Sequence, residues 1–216
     1  HGDQPFFAFM MSTSNHSPFE YPPGRIEPYE QPPNTRNNAV KYSDYAIGKL
    51  FELAQKEPYY ANTIFLVVAD HDAHVFGQAL VPVEHFHIPA LIIGPGVPKA
   101  HYDRLSSQLD LLPTLLGFTG LEVELPAIGR DLMSLPPDQP DRAMMQYGNA
   151  NGFRVGDKLA VLQPHQAAQT FYWRDGALTP APQDVELEKD ALAHLVWAAK
   201  TYKDGLYKLG ESEKSP

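Results

Sequence analysis

The 216-residue sequence predicts an α/β fold: a mainly parallel central sheet flanked by helices, followed by a small C-terminal antiparallel meander and a closing helix. Three observations point there. Short aliphatic or aromatic runs at residues 6–11, 63–69 and 88–93 have the composition of strands buried on both faces, as in parallel sheets. A segment of helical periodicity separates the first two, which gives strand, helix, strand order. Beyond residue 142, short apolar pieces alternate with Gly and Asp turns, the pattern of antiparallel hairpins.

In chain order, His1-Gly2-Asp3-Gln4-Pro5 shows neither an initiator Met nor a signal-peptide pattern, and the start is expected to be a cut inside a larger protein. Residues 6–11 (FFAFMM) stand between Pro5 and the polar Ser12-Thr13-Ser14-Asn15, which suits a strand better than a helix. Residues 17–36 carry Pro18, Pro22, Pro23, Pro28, Pro32 and Pro33 with Gly24, a density that denies both helix and internal strand and predicts a long, functional kind of loop. Over residues 37–56, Val40, Tyr42, Tyr45, Ile47, Leu50, Phe51 and Leu53 recur largely at helical spacing ahead of Pro58. Residues 63–69 (TIFLVVA) read as a central strand ending at Asp70-His71, and residues 88–93 as another that stops at Gly94-Pro95-Gly96. A helix over 107–117 places Leu109, Leu112, Leu115 and Leu116 inward. Residues 121–142 are Pro-rich and irregular. Strands are expected around 144–147, 153–155, 158–162 and 170–173, and an amphipathic helix over 184–208. The expected division is residues 1–142 as one part and 143–216 as a meander with its helix.

Composition narrows function. With 17 Lys+Arg against 26 Asp+Glu, the formal net charge is −9 and no basic run is present, which excludes a general nucleic-acid binder. There is no cysteine, hence no disulfide, thiolate nucleophile or Cys-based metal site within these residues. The apolar runs are far shorter than the roughly 18 to 20 residues needed to span a bilayer.

The strongest chemical feature is Ala69-Asp70-His71-Asp72-Ala73-His74, directly past a strand. Ligands of open α/β sheets bind outside the carboxyl ends of strands. A carboxylate and an imidazole at such an exit suit Mn²⁺, Zn²⁺ or Mg²⁺; the alternative is a solvated strand-end turn. In His85-Phe86-His87, two imidazoles two apart face the same way if the segment is extended, the alternative being ordinary surface or packing histidines. His16, after Ser14-Asn15, is a third candidate. His101, His165 and His194 receive no role.

Taken together, Ser14-Asn15-His16-Ser17-Pro18-Phe19, Ala69-Asp70-His71, Phe86-His87-Ile88-Pro89 with Gly94-Pro95-Gly96, residues 107–116 (SQLDLLPTLL) and Ile128-Gly129-Arg130-Asp131-Leu132 resemble the C-terminal half of a sulfatase-fold enzyme of the alkaline phosphatase superfamily. The nearest branch is the lipoteichoic acid synthase and phosphoglycerol transferase group, and the resemblance covers roughly residues 1 to 135. It implies that Asp70 and His71 are metal ligands, with Mn or Mg favoured over Zn or Ca. It implies that His16 is catalytic and contacts the substrate phosphate or its glycerol, and that His87 lies near the substrate. Gly129-Arg130-Asp131-Leu132 corresponds to a structural turn, and Asp72 and His74 inherit no ligand role. The family's nucleophile (Thr, or Ser or a modified Cys in relatives) and an acidic metal ligand belong to the N-terminal half, which these 216 residues lack. Thr13 and Ser14 stand at the wrong motif to replace it.

The implied reaction is a two-step transfer through a covalent intermediate, on phospholipid head groups or envelope glycans, outside the cytoplasm, in a parent protein anchored by N-terminal membrane helices. The alternatives are a sulfatase acting on sulfate esters and a non-catalytic module with a degenerate site.

Overall fold

The structure, a computed structural model, describes residues 4–73, 76–121 and 123–208. It divides into two units, His1–Thr63 and Ile64–Pro216.

The first unit is organised by helix α1, Arg36–Ala54, which matches the periodic segment. Thr35, in extended conformation, caps it by accepting from the Asn38 N–H at 3.3 Å. Asn38 is fully buried, and its amide does the loop's work. Oδ1 accepts the Tyr29 N–H at 2.6 Å, and Nδ2 donates to the carbonyls of Glu30 at 2.9 Å and Pro33 at 3.0 Å. One turn on, Lys41 Nζ donates to the Glu27 carbonyl at 2.7 Å, and the Tyr21 ring stacks on Tyr42. The proline-rich loop is thus bound to one stripe of α1 through its backbone, since it has no ladder of its own to satisfy those groups.

Residues 6–11 do not form the expected strand. Their backbone is irregular, with Phe7 83% and Phe9 75% exposed. An apolar run becomes a strand only when a neighbouring strand takes up its ladder, and residues 6–11 belong to neither of the two sheets.

In the second unit, strands β1 (Phe65–Val68) and β2 (Ala90–Ile93) appear where the sequence puts them but pair antiparallel, Phe65 opposite Ile93 and Val68 opposite Ala90. The expected mainly parallel central sheet is therefore not formed among the described residues. Apolar composition reports depth of burial and is silent on direction. The link between β1 and β2 contains a 3-10 turn, Val83–Phe86, where a parallel pair needs a crossover long enough to return the chain, usually a helix. Nor are both faces covered, since Leu91 is 54% exposed.

The C-terminal meander is a five-stranded antiparallel sheet in sequential order: β3 Arg142–Tyr147, β4 Ala150–Val155, β5 Lys158–Leu162, β6 Gln169–Arg174 and β7 Ala177–Pro180. β7 was not expected, although Asp175-Gly176, both at positive φ, is the two-residue hairpin turn that announces it. Alternation along the strands divides the core in two. Met145, Ala150, Leu159 and Val161 pack on Val81 and Val83, while Phe153 and Ala160 pack on Leu187 and Ala191 of helix α3, Val185–Lys203. Asp184 caps α3 by accepting the Leu187 N–H at 3.1 Å. Glu186 and Glu188 in its first turn and Lys200 and Lys203 in its last oppose the helix dipole.

A buried clasp joins these parts. The 3-10 turn Gln108–Asp110 leads into helix α2, Leu111–Thr119. The Asp110 carboxylate accepts from Arg130 Nη2 at 2.9 Å, from Nε at 3.2 Å and from the Arg130 N–H at 2.8 Å, with the two side chains 3% and 7% exposed. Arg130 also donates to the carbonyls of Pro140 and Arg142, and Arg142 Nη2 to that of Ile128. These bonds sew residues 128–142 to the first meander strand, and the expected boundary at 142/143 falls inside the second unit. Burial, and then the neighbouring Arg130 charge, lowers the Arg142 guanidinium pKa. Gly129 admits no side chain, because a Cβ would lie 1.8 Å from the Leu109 carbonyl oxygen.

Arg130→Met leaves Asp110 charged and buried, so denaturant unfolding should show a loss of about 3–5 kcal/mol, whereas Asp110→Leu combined with Arg130→Met should cost less. A second expectation concerns acid. The Lys158 ammonium, then the Leu187 N–H, holds the Asp184 carboxyl below its ordinary range. Its stabilisation is complete above the unfolded value of about 3.9 and disappears as pH falls through the lower folded value. Unfolding midpoints of Asp184→Asn and the parent should therefore differ near neutrality and converge at the acid end of that window.

Candidate metal and substrate site

The β1–β2 ladder ends at Val68, after which the Ala69 N–H still reaches the Pro89 carbonyl at 3.2 Å. The next two carbonyls, of Ala69 and Asp70, have left the sheet. Both accept from one amide nitrogen, Gln108 Nε2, at 3.0 and 2.9 Å. Asp70 Oδ1 accepts the His71 N–H at 2.9 Å. His71 Nδ1 lies 2.8 Å from the Asp72 carbonyl, which can only accept, so Nδ1 carries a proton, and in the neutral imidazole the lone pair then sits on Nε2. That Nε2 stands 3.6 Å from Asp70 Oδ2, with the two side chains 65% and 70% exposed.

The donor set fits a divalent cation. Two donors on one ion at about 2.0–2.2 Å, spaced by octahedral or tetrahedral angles, stand about 2.8–3.6 Å apart, and the 3.6 Å between Asp70 Oδ2 and His71 Nε2 lies at the tetrahedral end of that range. The imidazole is oriented through its other nitrogen, as metal-bound histidines are. No group of three His, Cys, Asp or Glu side chains able to hold an ion occurs among the described residues, and Asp70 with His71 supplies two donors.

The extended segment that would turn His85 and His87 the same way is not formed. His85 lies inside the 3-10 turn Val83–Phe86, so it and His87 are not neighbours on one face of an extended segment. His85 Nδ1 instead faces Asp72 Oδ2 at 3.6 Å, and its Nε2 faces Glu84 Oε1 at 3.7 Å. His87 is exposed just past the turn. His74 lies outside the described residues. Gln108 was missed, since its contacts lie 38 and 39 residues away and no local pattern announces them.

His16 sits in the first unit, in a tight turn whose backbone bonds run from the His16 N–H to Thr13 O and from the Phe19 N–H to His16 O. Its Nδ1 is 2.9 Å from the Ser17 carbonyl, and the side chain is exposed. Asn15 Oδ1 accepts from Ser43 Oγ of α1 at 3.0 Å, which fixes the turn to the helix.

Comparison with known proteins agrees with the resemblance of the motifs. The sulfatase family model matches residues 1–121, and the chain belongs to that family. A crystal structure of an alkaline phosphatase superfamily protein from Vibrio parahaemolyticus is 45% identical and superposes with a TM-score of 0.88, over 97% of this chain and 52% of that one. Among curated relatives, a sulfatase of Formosa agariphila is 25% identical over 65% of this chain and 29% of its own length. Lipoteichoic acid synthase 1 of Bacillus subtilis is 22% identical over 68% of this chain and 26% of its own. The chain thus spans about half of the structural relative and a little over a quarter of these two curated ones.

Asn38→Ala should free the loop after His16, leaving the Tyr29 N–H and two carbonyls without partners at about 1–3 kcal/mol for each group that stays dry. Hydrogen exchange at the Tyr29 amide should accelerate more than exchange in the middle of α1.

Proposed function

We propose that these residues form the C-terminal half of the catalytic domain of a metal-dependent phosphoglycerol transferase or phosphodiesterase acting on envelope lipid head groups or glycans. The observation that carries this reading is the convergence of Asp70 Oδ2 and the His71 Nε2 lone pair at the exit of β1. Similarity to a lipoteichoic acid synthase supports the phosphate chemistry. In this reading Asp70 and His71 hold a divalent ion, Mn²⁺ or Mg²⁺. When bound, such an ion lowers the pKa of a hydroxyl nucleophile and neutralises charge on the phosphoryl oxygens. His16 donates a proton to a non-bridging or leaving oxygen, and His87 lines the path of the head group.

The nucleophile, the remaining ligands and the strands that would complete a mainly parallel sheet belong to further sequence of the intact protein. That protein works outside the cytoplasm, held by membrane helices. No helix among the described residues is long and apolar enough to cross a membrane.

The test uses the intact protein that contains this chain, stripped of metal and reloaded with Mn²⁺. Phosphodiester turnover should return with the metal, fall to background in Asp70→Ala and His71→Ala, and fall about 10²–10⁴-fold in His16→Ala. The 216-residue chain alone should bind Mn²⁺ weakly and turn over neither phosphodiester nor sulfate ester. Robust turnover by it would place a nucleophile within these residues. The relative named as a sulfatase favours a second reading, a sulfate-ester hydrolase, which preferential hydrolysis of an aryl sulfate would establish. Metal binding without turnover of either ester in the intact protein would mark a degenerate site.

A further inference from the structure

The Gln108 side chain reaches the strand exit through its amide nitrogen. Its Nε2 donates to Ala69 O at 3.0 Å and to Asp70 O at 2.9 Å, the carbonyls on either side of the Asp70 Cα. We infer that Gln108 is a positioning residue for the metal ligands, a two-pronged clamp that sets the backbone from which Asp70 and His71 project. The inference rests on the metal reading of that pair.

Three features make this more than a surface hydrogen bond. First, the clamp replaces a missing strand: past Val68 the ladder has ended, and Gln108 supplies the donors that a third strand would. Second, it is rigidly mounted. Gln108 begins the 3-10 turn whose Asp110 is clasped by Arg130, whose Ser107 and Asp110 form a capping box, and whose Leu109 carbonyl is pressed against Gly129. Third, what it fixes is what the ligands need. The Asp70 carbonyl belongs to the peptide between residues 70 and 71, and turning that peptide about the Asp70 Cα–C bond would swing His71 relative to the Asp70 side chain and separate Oδ2 from His71 Nε2, now 3.6 Å apart. The far side of the same loop is held independently by Tyr147, whose hydroxyl donates to the Gly77 carbonyl at 3.3 Å.

Groups that orient ligands without touching the ion are typically worth about 10–100-fold in metal affinity. The experiment compares the intact protein with its Gln108→Leu, Gln108→Lys and Asp70→Ala variants, by titrating the metal-free proteins with Mn²⁺ and by hydrogen exchange of the segment around residues 69–73. Gln108→Leu should bind Mn²⁺ about 10–100-fold more weakly and exchange faster around His71. Its phosphodiester kcat should recover at saturating Mn²⁺ and its thermal midpoint should stay near that of the parent. Gln108→Lys, which keeps donors within reach of both carbonyls, should retain most of the affinity. Unchanged Mn²⁺ affinity in Gln108→Leu, with affinity lost in Asp70→Ala, would overturn the clamp alone. Equal loss in Gln108→Leu and Gln108→Lys would do the same. Unchanged affinity in Asp70→Ala would overturn the metal reading, and the clamp with it.

Discussion

Withdrawing two opposite charges from water is costly unless each finds its full complement of partners, and Asp110 with Arg130 meets that condition. The carboxylate is filled by the guanidinium, by the Arg130 backbone N–H and by the capped turn at Ser107. The unused guanidinium hydrogens reach the carbonyls of Pro140 and Arg142. One pair thus ties the turn before α2 to the irregular segment after it and to the first strand of the meander. Around it, Thr114 Oγ1 donates to the Asp110 carbonyl while accepting the Leu132 N–H, and Gly129 lets the two segments touch backbone to backbone. Such a pair adds little net energy over a well-packed apolar substitute, but it permits one alignment of the segments it joins.

That alignment is what the strand exit depends on. A loop leaving a two-stranded ladder has no further ladder to define it, and the loop beginning at Asp70 is fixed instead by side chains from elsewhere. Gln108 takes the carbonyls at its start, Tyr147 takes Gly77, and Ala69 keeps a last bond to Pro89. The candidate pair stays open to solvent while its support comes from buried parts: Asp70 and His71 are mostly exposed, yet the backbone beneath them leads to groups that are almost wholly enclosed.

What is legible in the sequence follows the range of the forces involved. α1 and α3 are visible because periodicity and caps act within a few residues, and the meander because Gly and Asp turns are local. The position of Asp70 and His71 just past a strand is visible because a strand end followed by polar residues is a local pattern. Strand direction is not, since Phe65–Val68 has the same composition whichever way its neighbour runs. Residues 6–11 read as a strand because composition records what a segment would bury, and pairing needs atoms from elsewhere. His85 escapes because a 3-10 turn of four residues leaves no periodic signature. Gln108 and Arg130 escape because their partners are reached only through the folded chain.

The proline-rich loop has a further consequence, which lies in the unfolded chain. A stretch of some twenty residues without regular structure would ordinarily be expensive to order, at about 1–2 kcal/mol of backbone entropy per residue. Each proline fixes its own φ and restricts the residue before it, so Pro18, Pro22, Pro23, Pro28, Pro32 and Pro33 have removed much of that freedom before folding begins. A single buried amide on α1 and a few contacts around it then suffice to hold the loop. The segment that follows His16 is ordered less by what it touches than by how few shapes it ever had.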